Sequence, residues 1–134
     1  DALACWEDVL PTLADLAGVP LPGPVDGISL APALRGEPLP PRDSITGMCH
    51  GMHTNYFIVQ GHLKYIWFEK THEEQLFDLE ADPQECHDLS ADTLLLQPFR
   101  DLMHQTLLRE GGVTYDPAKL KPCANRPPEI LFGK

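Results

Sequence analysis

Tyr56-Phe57-Ile58-Val59-Gln60-Gly61-His62-Leu63-Lys64-Tyr65-Ile66-Trp67-Phe68 is the stretch that decides the fold. Two runs rich in aromatic and β-branched residues flank Gly61-His62, which reads as a hairpin turn. A third strand is predicted at Gln75-Leu76-Phe77-Asp78-Leu79, after the polar turn Lys70-Thr71-His72-Glu73. Ser44-Ile45-Thr46-Gly47 reads as a candidate fourth strand. Short turns between strands imply an antiparallel meander, and such a sheet needs cover on one face.

Downstream, Leu95, Phe99, Leu102, Met103, Thr106 and Leu107 recur at helical spacing within Leu94–Arg109. Pro98 sets the start of this helix near residue 95, or earlier with a kink, and Gly111-Gly112 ends it. This is the one element long enough to cover the sheet. Asp82-Pro83 marks a turn between the two. The tail from Val113 to Lys134, with the apolar cluster Ile130-Leu131-Phe132, reads as an extended strap.

Upstream the pattern is helical instead. In Asp8-Val9-Leu10-Pro11-Thr12-Leu13-Ala14-Asp15-Leu16-Ala17-Gly18, Asp8 suits an N-cap, Pro11 falls in the first turn, and Gly18 suits the left-handed stop. Ser29-Leu30-Ala31-Pro32-Ala33-Leu34-Arg35-Gly36 repeats this plan in miniature. Pro38, Pro40 and Pro41 form a stiff connector, placing a boundary at about residue 42. The expected class is α+β: a small antiparallel sheet of three to four strands packed by a C-terminal helix, preceded by two short helices. Those helices have no sheet of their own, so Val9, Leu13, Leu16, Leu30 and Leu34 are expected to lie exposed unless another domain covers them or the chain self-associates. The start, Asp1-Ala2-Leu3-Ala4-Cys5-Trp6, reads as cut from something longer.

Composition narrows the partners. The 134 residues are one domain's worth, and 43% are hydrophobic, enough for a core despite 14 prolines. A net charge of −10 argues against nucleic acid and against an anionic membrane surface. No apolar run approaches the roughly 18 residues of a membrane span. Cys5, Cys49, Cys86 and Cys123 form no CxxC pair and read as separate, mostly buried thiols.

In order and spacing, several of these segments resemble the sulfatases of the alkaline-phosphatase-like superfamily. The resemblance rests on Asp8-Val9-Leu10-Pro11-Thr12-Leu13 running to Ala17-Gly18, then Asp26-Gly27-Ile28-Ser29-Leu30, Leu34-Arg35-Gly36, and the strand Lys64-Tyr65-Ile66-Trp67-Phe68. It closes on Glu74-Gln75-Leu76-Phe77-Asp78-Leu79-Glu80-Ala81-Asp82-Pro83-Gln84-Glu85, with Asp88-Leu89 just after. The resemblance implies that residues 1–42 are the end of a larger α/β catalytic domain plus connector. It implies that 43–134 are a C-terminal α+β sub-domain packed against that domain and able to shape the substrate cleft. The remainder would carry the formylglycine nucleophile and calcium, and this chain no cofactor of its own. The family's Cys-x-Pro-x-Arg sequence is absent, and Cys123-Ala124-Asn125-Arg126-Pro127 does not match it. No catalytic residue of the family maps here. A phosphonate or phosphodiester hydrolase of the same superfamily, and a free-standing non-catalytic interaction module, are the competing readings.

One loop stands out, Met48-Cys49-His50-Gly51-Met52-His53-Thr54-Asn55-Tyr56. His50, His53 and Asn55 are candidate substrate contacts, since Gly47 and Gly51 let the backbone approach a ligand. Against this stand a solvated polar loop and, with less support, a metal site at Cys49, His50 and His53, for which no fourth ligand is evident. Lys64 and Arg100 are weaker candidates for an anionic substrate, and Tyr65 and Trp67 read as core.

Overall fold

The computed structural model describes residues 2–50, 54–110, 115–116 and 121–122. The chain divides into two units, residues 1–45 and 46–134.

In the first unit a short 3-10 turn, Trp6–Asp8, leads into helix α1, Val9–Ala17. Pro11 lies in the first turn of α1, and Gly18 ends the helix in the left-handed region at φ 67°. Helix α2, Ala31–Leu34, follows, and Gly36 takes φ 77° after it. Between them these helices bury only Pro11 and Ala31. Val9, Leu10, Leu13 and Leu16 are exposed along α1, as are Trp6 and Leu34 (88% and 71%). Leu30, expected to be exposed, is half-buried because its segment folds back on α1.

The second unit begins within strand β1, Ser44–Cys49. Strands β2 (Asn55–Gln60), β3 (Leu63–Phe68) and β4 (Glu74–Asp78) complete a four-stranded sheet in the order β1-β2-β3-β4. β2 pairs antiparallel with β3, Tyr56 opposite Trp67 and Ile58 opposite Tyr65; β3 pairs likewise with β4, Tyr65 opposite Leu76. Gln60 opposite Leu63 leaves Gly61-His62 as a two-residue turn, with Gly61 at φ 59° where only glycine is unstrained. The meander and the fourth strand therefore hold.

Period-2 alternation gives the sheet two different faces. Tyr56, Ile58, Tyr65, Trp67 and Leu76 are buried on one face, in a core completed by Leu96, Phe99, Met103 and Leu107 of helix α3, Thr93–Glu110. On the other face Phe57, Val59, Ile66 and Phe68 are half-buried.

Helix α3 starts before residue 95 and runs through Pro98. Asp92 accepts the amides of Leu94 and Leu95 at 3.0 and 3.2 Å, satisfying the first orphan donors of the helix. Phe99, Met103, Thr106 and Leu107 are buried and Leu102 packs against the core, as the spacing predicted, and the face departs from the prediction at its first residue alone. Leu96 is buried and Leu95 is exposed, because 96, 99, 103 and 107 keep the 3-4-4 step onto the sheet. Strands β5 (Tyr115–Asp116) and β6 (Lys121–Pro122) pair antiparallel. Ile130-Leu131-Phe132 lies outside the described residues. No helix among the described residues is long and apolar enough to cross a membrane.

Candidate functional site

His50 follows the last residue of β1 and is exposed, and Asn55 opens β2 and is half-buried. They flank the same loop, so the meander brings both to one end of the sheet. His53 lies outside the described residues. The turn from β3 to β4 reaches this same end, where the Glu69 amide donates to the Thr54 carbonyl at 3.0 Å. His72, in that turn, sits at φ 60°, and its ring lies 6.4 Å from that of Trp67 at an interplanar angle of 22°. Nothing in the sequence singles out His72, because a histidine in a polar turn carries no spacing signal.

The other candidates turn inward. Arg100 grips Glu74 through both guanidinium arms, Nε at 2.7 Å from Oε1, while the Tyr65 hydroxyl donates to the same carboxylate at 2.7 Å. Burial alone would raise the Glu74 carboxyl, but the bonds from Arg100 and Tyr65 more than offset it and hold it below its usual range. Burial, and then the bond to Glu74, push the Tyr65 phenol far up, so it stays protonated. This group ties β3, β4 and α3 together. Lys64 is also occupied, its Nζ lying 2.9 and 2.8 Å from the two oxygens of Glu85. Trp67 and Tyr65 are core residues, as read.

The family-like segments prove to be structural fittings. Asp8 does not cap α1 as expected. Its fully buried carboxylate reaches back to the Cys5 amide and across to the Ile28 amide, both at 2.9 Å. Arg42 grips the same carboxylate in a fork, at 2.7 and 2.6 Å. The Arg42 bonds, outweighing desolvation, hold the Asp8 carboxyl far below the ordinary carboxylate range. The Thr12 hydroxyl donates to the Asp8 carbonyl at 2.6 Å and accepts the Leu30 amide at 2.8 Å. The Ser29 hydroxyl donates to Asp15 at 2.6 Å and accepts the Ala31 amide at 3.2 Å. Gly27 passes so close to the 3-10 turn that a Cβ there would lie 1.9 Å from the Glu7 carbonyl oxygen. The Asp-x-x-Pro-Thr and Asp-Gly-x-Ser segments thus form the two halves of one latch.

The closing signature works the same way. Asp78 accepts the amides of Glu80 and Ala81 at 2.9 and 3.0 Å, and Asp82 that of His87 at 2.7 Å. Asp88 accepts the amides of Leu76 and Ser90 at 3.1 and 2.8 Å. Each carboxylate satisfies turn amides that would otherwise need water.

No group of three or more His, Cys, Asp or Glu side chains gathers among the described residues, so none of them is assigned to calcium. Cys5 is half-buried, and burial first, then its acidic neighbours, push its thiol up. Cys49 and Cys86 are exposed, against the expectation of buried thiols, because one ends the outermost strand β1 and the other lies in the surface turn after β4.

No protein-family profile matches the chain. It is 40% identical over 83 residues to an arylsulfatase of Clostridium perfringens, covering 61% of this chain and 17% of that protein. It is 38% identical over 113 residues to a Δ4,5-hexuronate-2-O-sulfatase of Bacteroides thetaiotaomicron, covering 76% of this chain and 23% of that protein. The solved structure of a 2-O GAG sulfatase superposes with a TM-score of 0.70 at 31% identity, covering 78% of this chain and 24% of that one. The chain thus spans only about a quarter or less of the length of these relatives. In sequence and in fold, it belongs to the sulfatase family.

Proposed function

We propose that the chain is the C-terminal portion of a sulfuric ester hydrolase, with residues 1–42 ending its catalytic domain and 43–134 forming the sub-domain that packs against it. The observation that carries this reading is the use of the family-like residues. Asp8, Thr12, Ser29, Asp78, Asp82 and Asp88 are all engaged in the chain's own architecture. Sulfate-ester hydrolysis needs a nucleophile, charge stabilisation on the sulfate oxygens and an acid for the leaving group. The matched relatives are between three and four times as long as this chain, since 61% of it covers 17% of one and 76% of it covers 23% of another. The remainder of the longer protein supplies the formylglycine and calcium in this reading. The exposed ridge of α1 and α2 is the face that meets the rest of the catalytic domain. The loop bearing His50, His53 and Asn55 reaches toward the cleft.

An assay with 4-nitrophenyl sulfate tests this. The chain alone should give no turnover above background, and the longer protein, carrying its formylglycine, should hydrolyse the ester. Turnover by the isolated chain would sink the proposal. So would a longer protein that cleaves bis(4-nitrophenyl) phosphate and leaves the sulfate ester intact.

A further inference from the structure

We infer that the β3–β4 turn is an acid-sensitive switch, in which His72 is seated as a neutral ring and leaves its seat on taking a second proton. The inference stands on the geometry of the turn and is independent of the sulfatase reading. The His72 amide donates to the Phe68 carbonyl at 2.9 Å, and the Phe68 amide to the Glu73 carbonyl at 3.0 Å, which closes the turn. The His72 ring stacks on Trp67, and Trp67 stacks on Tyr56 with centroids 5.7 Å apart. Two features count against this seat. The backbone takes φ 60°, which an L side chain rarely adopts. The ring's Nδ1 is buried with no hydrogen-bond partner. Glu85, at φ 54°, shares the left-handed backbone, but its carboxylate holds Lys64 through both oxygens. Nδ1 of His72 makes no such compensating bond. Backbone strain of this kind gathers at switch regions, among other functional places.

The chemistry of the ring sets the direction of the switch. A neutral imidazole has one bare nitrogen and one N–H. A bare lone pair is less costly to bury than an N–H without an acceptor, so Nδ1 is the bare nitrogen of the seated ring. The doubly protonated ring carries a donor on each nitrogen, and the seat offers Nδ1 no acceptor. In water both donors are satisfied. Proton uptake and release of the ring are therefore linked, and acid favours release. The charged and titratable groups on the surrounding elements are few. They are Glu69, Lys70 and Glu73 of the turn, Tyr56 of β2, His104 of α3, His50 after β1, and Glu74 of β4 with Tyr65 and Arg100 bound to it. None of them bonds Nδ1. Glu69 and Glu73 attract the protonated ring once it is out, which acts in the same direction. The bonds at stake are the two that close the turn and the one from the Glu69 amide to the Thr54 carbonyl at 3.0 Å. Through that last bond a proton taken up at His72 acts on the end of the sheet where Asn55 opens β2.

Amide hydrogen exchange of the full chain tests this, read from nitrogen–proton spectra between about pH 7.5 and about pH 5, on either side of the ordinary imidazole range. After correction for the intrinsic effect of pH on exchange, protection of the amides of residues 69 and 72 should fall with acidity. The fall should reach about tenfold per pH unit below about pH 6.5, as the uptake of one proton requires. Amides within β2 and β3 should keep their protection. His72→Asn suits the left-handed backbone and has no ring to titrate, so the same two amides should hold constant protection across the range. The inference is overturned if these amides in the parent chain are unprotected at neutral pH or equally protected throughout, a result that needs no variant. It is also overturned if His72→Asn keeps the parent's pH dependence, which would place the titrating group elsewhere. Parallel loss of protection in β2 and β3 would overturn it too, since that marks unfolding of the whole sheet and not the opening of one turn.

Discussion

Asp8 receives five hydrogen bonds on one carboxylate, from the amide and thiol of Cys5, the Ile28 amide and both arms of Arg42. A buried carboxylate this heavily bonded is stabilised as an anion, so its effect on folding depends on pH in a fixed direction. Its folded pKa is depressed, chiefly by Arg42. The contribution is therefore complete above the ordinary aspartate range near 3.9 and is lost as pH falls below it. Asp8→Asn should destabilise the protein by about 2–3 kcal/mol at neutral pH, less than for a fully buried pair because Arg42 keeps some solvent contact. Urea unfolding from pH 7 down to pH 3 should show the difference between the variant and the parent shrinking with acidity. A difference independent of pH would mean the carboxylate is not ionised in the fold. Arg42 was not legible in the sequence: it lies 34 positions from Asp8, beyond the reach of any periodicity or local motif.

At the scale of elements, alternation of apolar residues was enough to read the strands, because each side chain on β2 and β3 has its face set by a period of two. The first buried residue of α3 was not readable, though the face from Phe99 to Leu107 was. Leu94-Leu95-Leu96 offers three consecutive leucines, and Thr106 is compatible with more than one apolar stripe. The sheet selects among them by accepting the stripe that runs through Phe99 and Met103. Leu96→Ala should therefore cost about 2 to 5 kcal/mol, as a core cavity does. Leu95→Ala, at an exposed position, should stay within about 0.5 kcal/mol. Chemical denaturation of the two variants checks this, and equal effects would place the helix in the other register. The candidate loop was legible from its histidines. His72 was not, because what distinguishes it is a backbone angle and a buried nitrogen rather than a pattern.

For the molecule as a whole, the contrast is between a second unit with a closed core under α3 and a first unit whose apolar side chains face outward. Trp6, Leu13, Leu16 and Leu34 are each more than half exposed. Exposed apolar surface of this kind draws other apolar surface to it. Leu13→Gln with Leu16→Gln should reduce binding of a hydrophobic dye and self-association by the chain, with its circular dichroism unchanged. Unaltered dye binding would place the sticky surface elsewhere. The latch carries a different lesson for anyone altering this protein. Because Asp8 and Thr12 hold the amides of Ile28 and Leu30 directly, the proline-rich span from Val19 to Asp26 is tethered at both ends. Most of that span is solvent-exposed. Its length is thus a free variable: doubling it would cost only about 0.6 kcal/mol of closure entropy. An epitope, a fluorophore anchor or a whole inserted domain belongs there, and not at Gly27, where even one methyl group has no room.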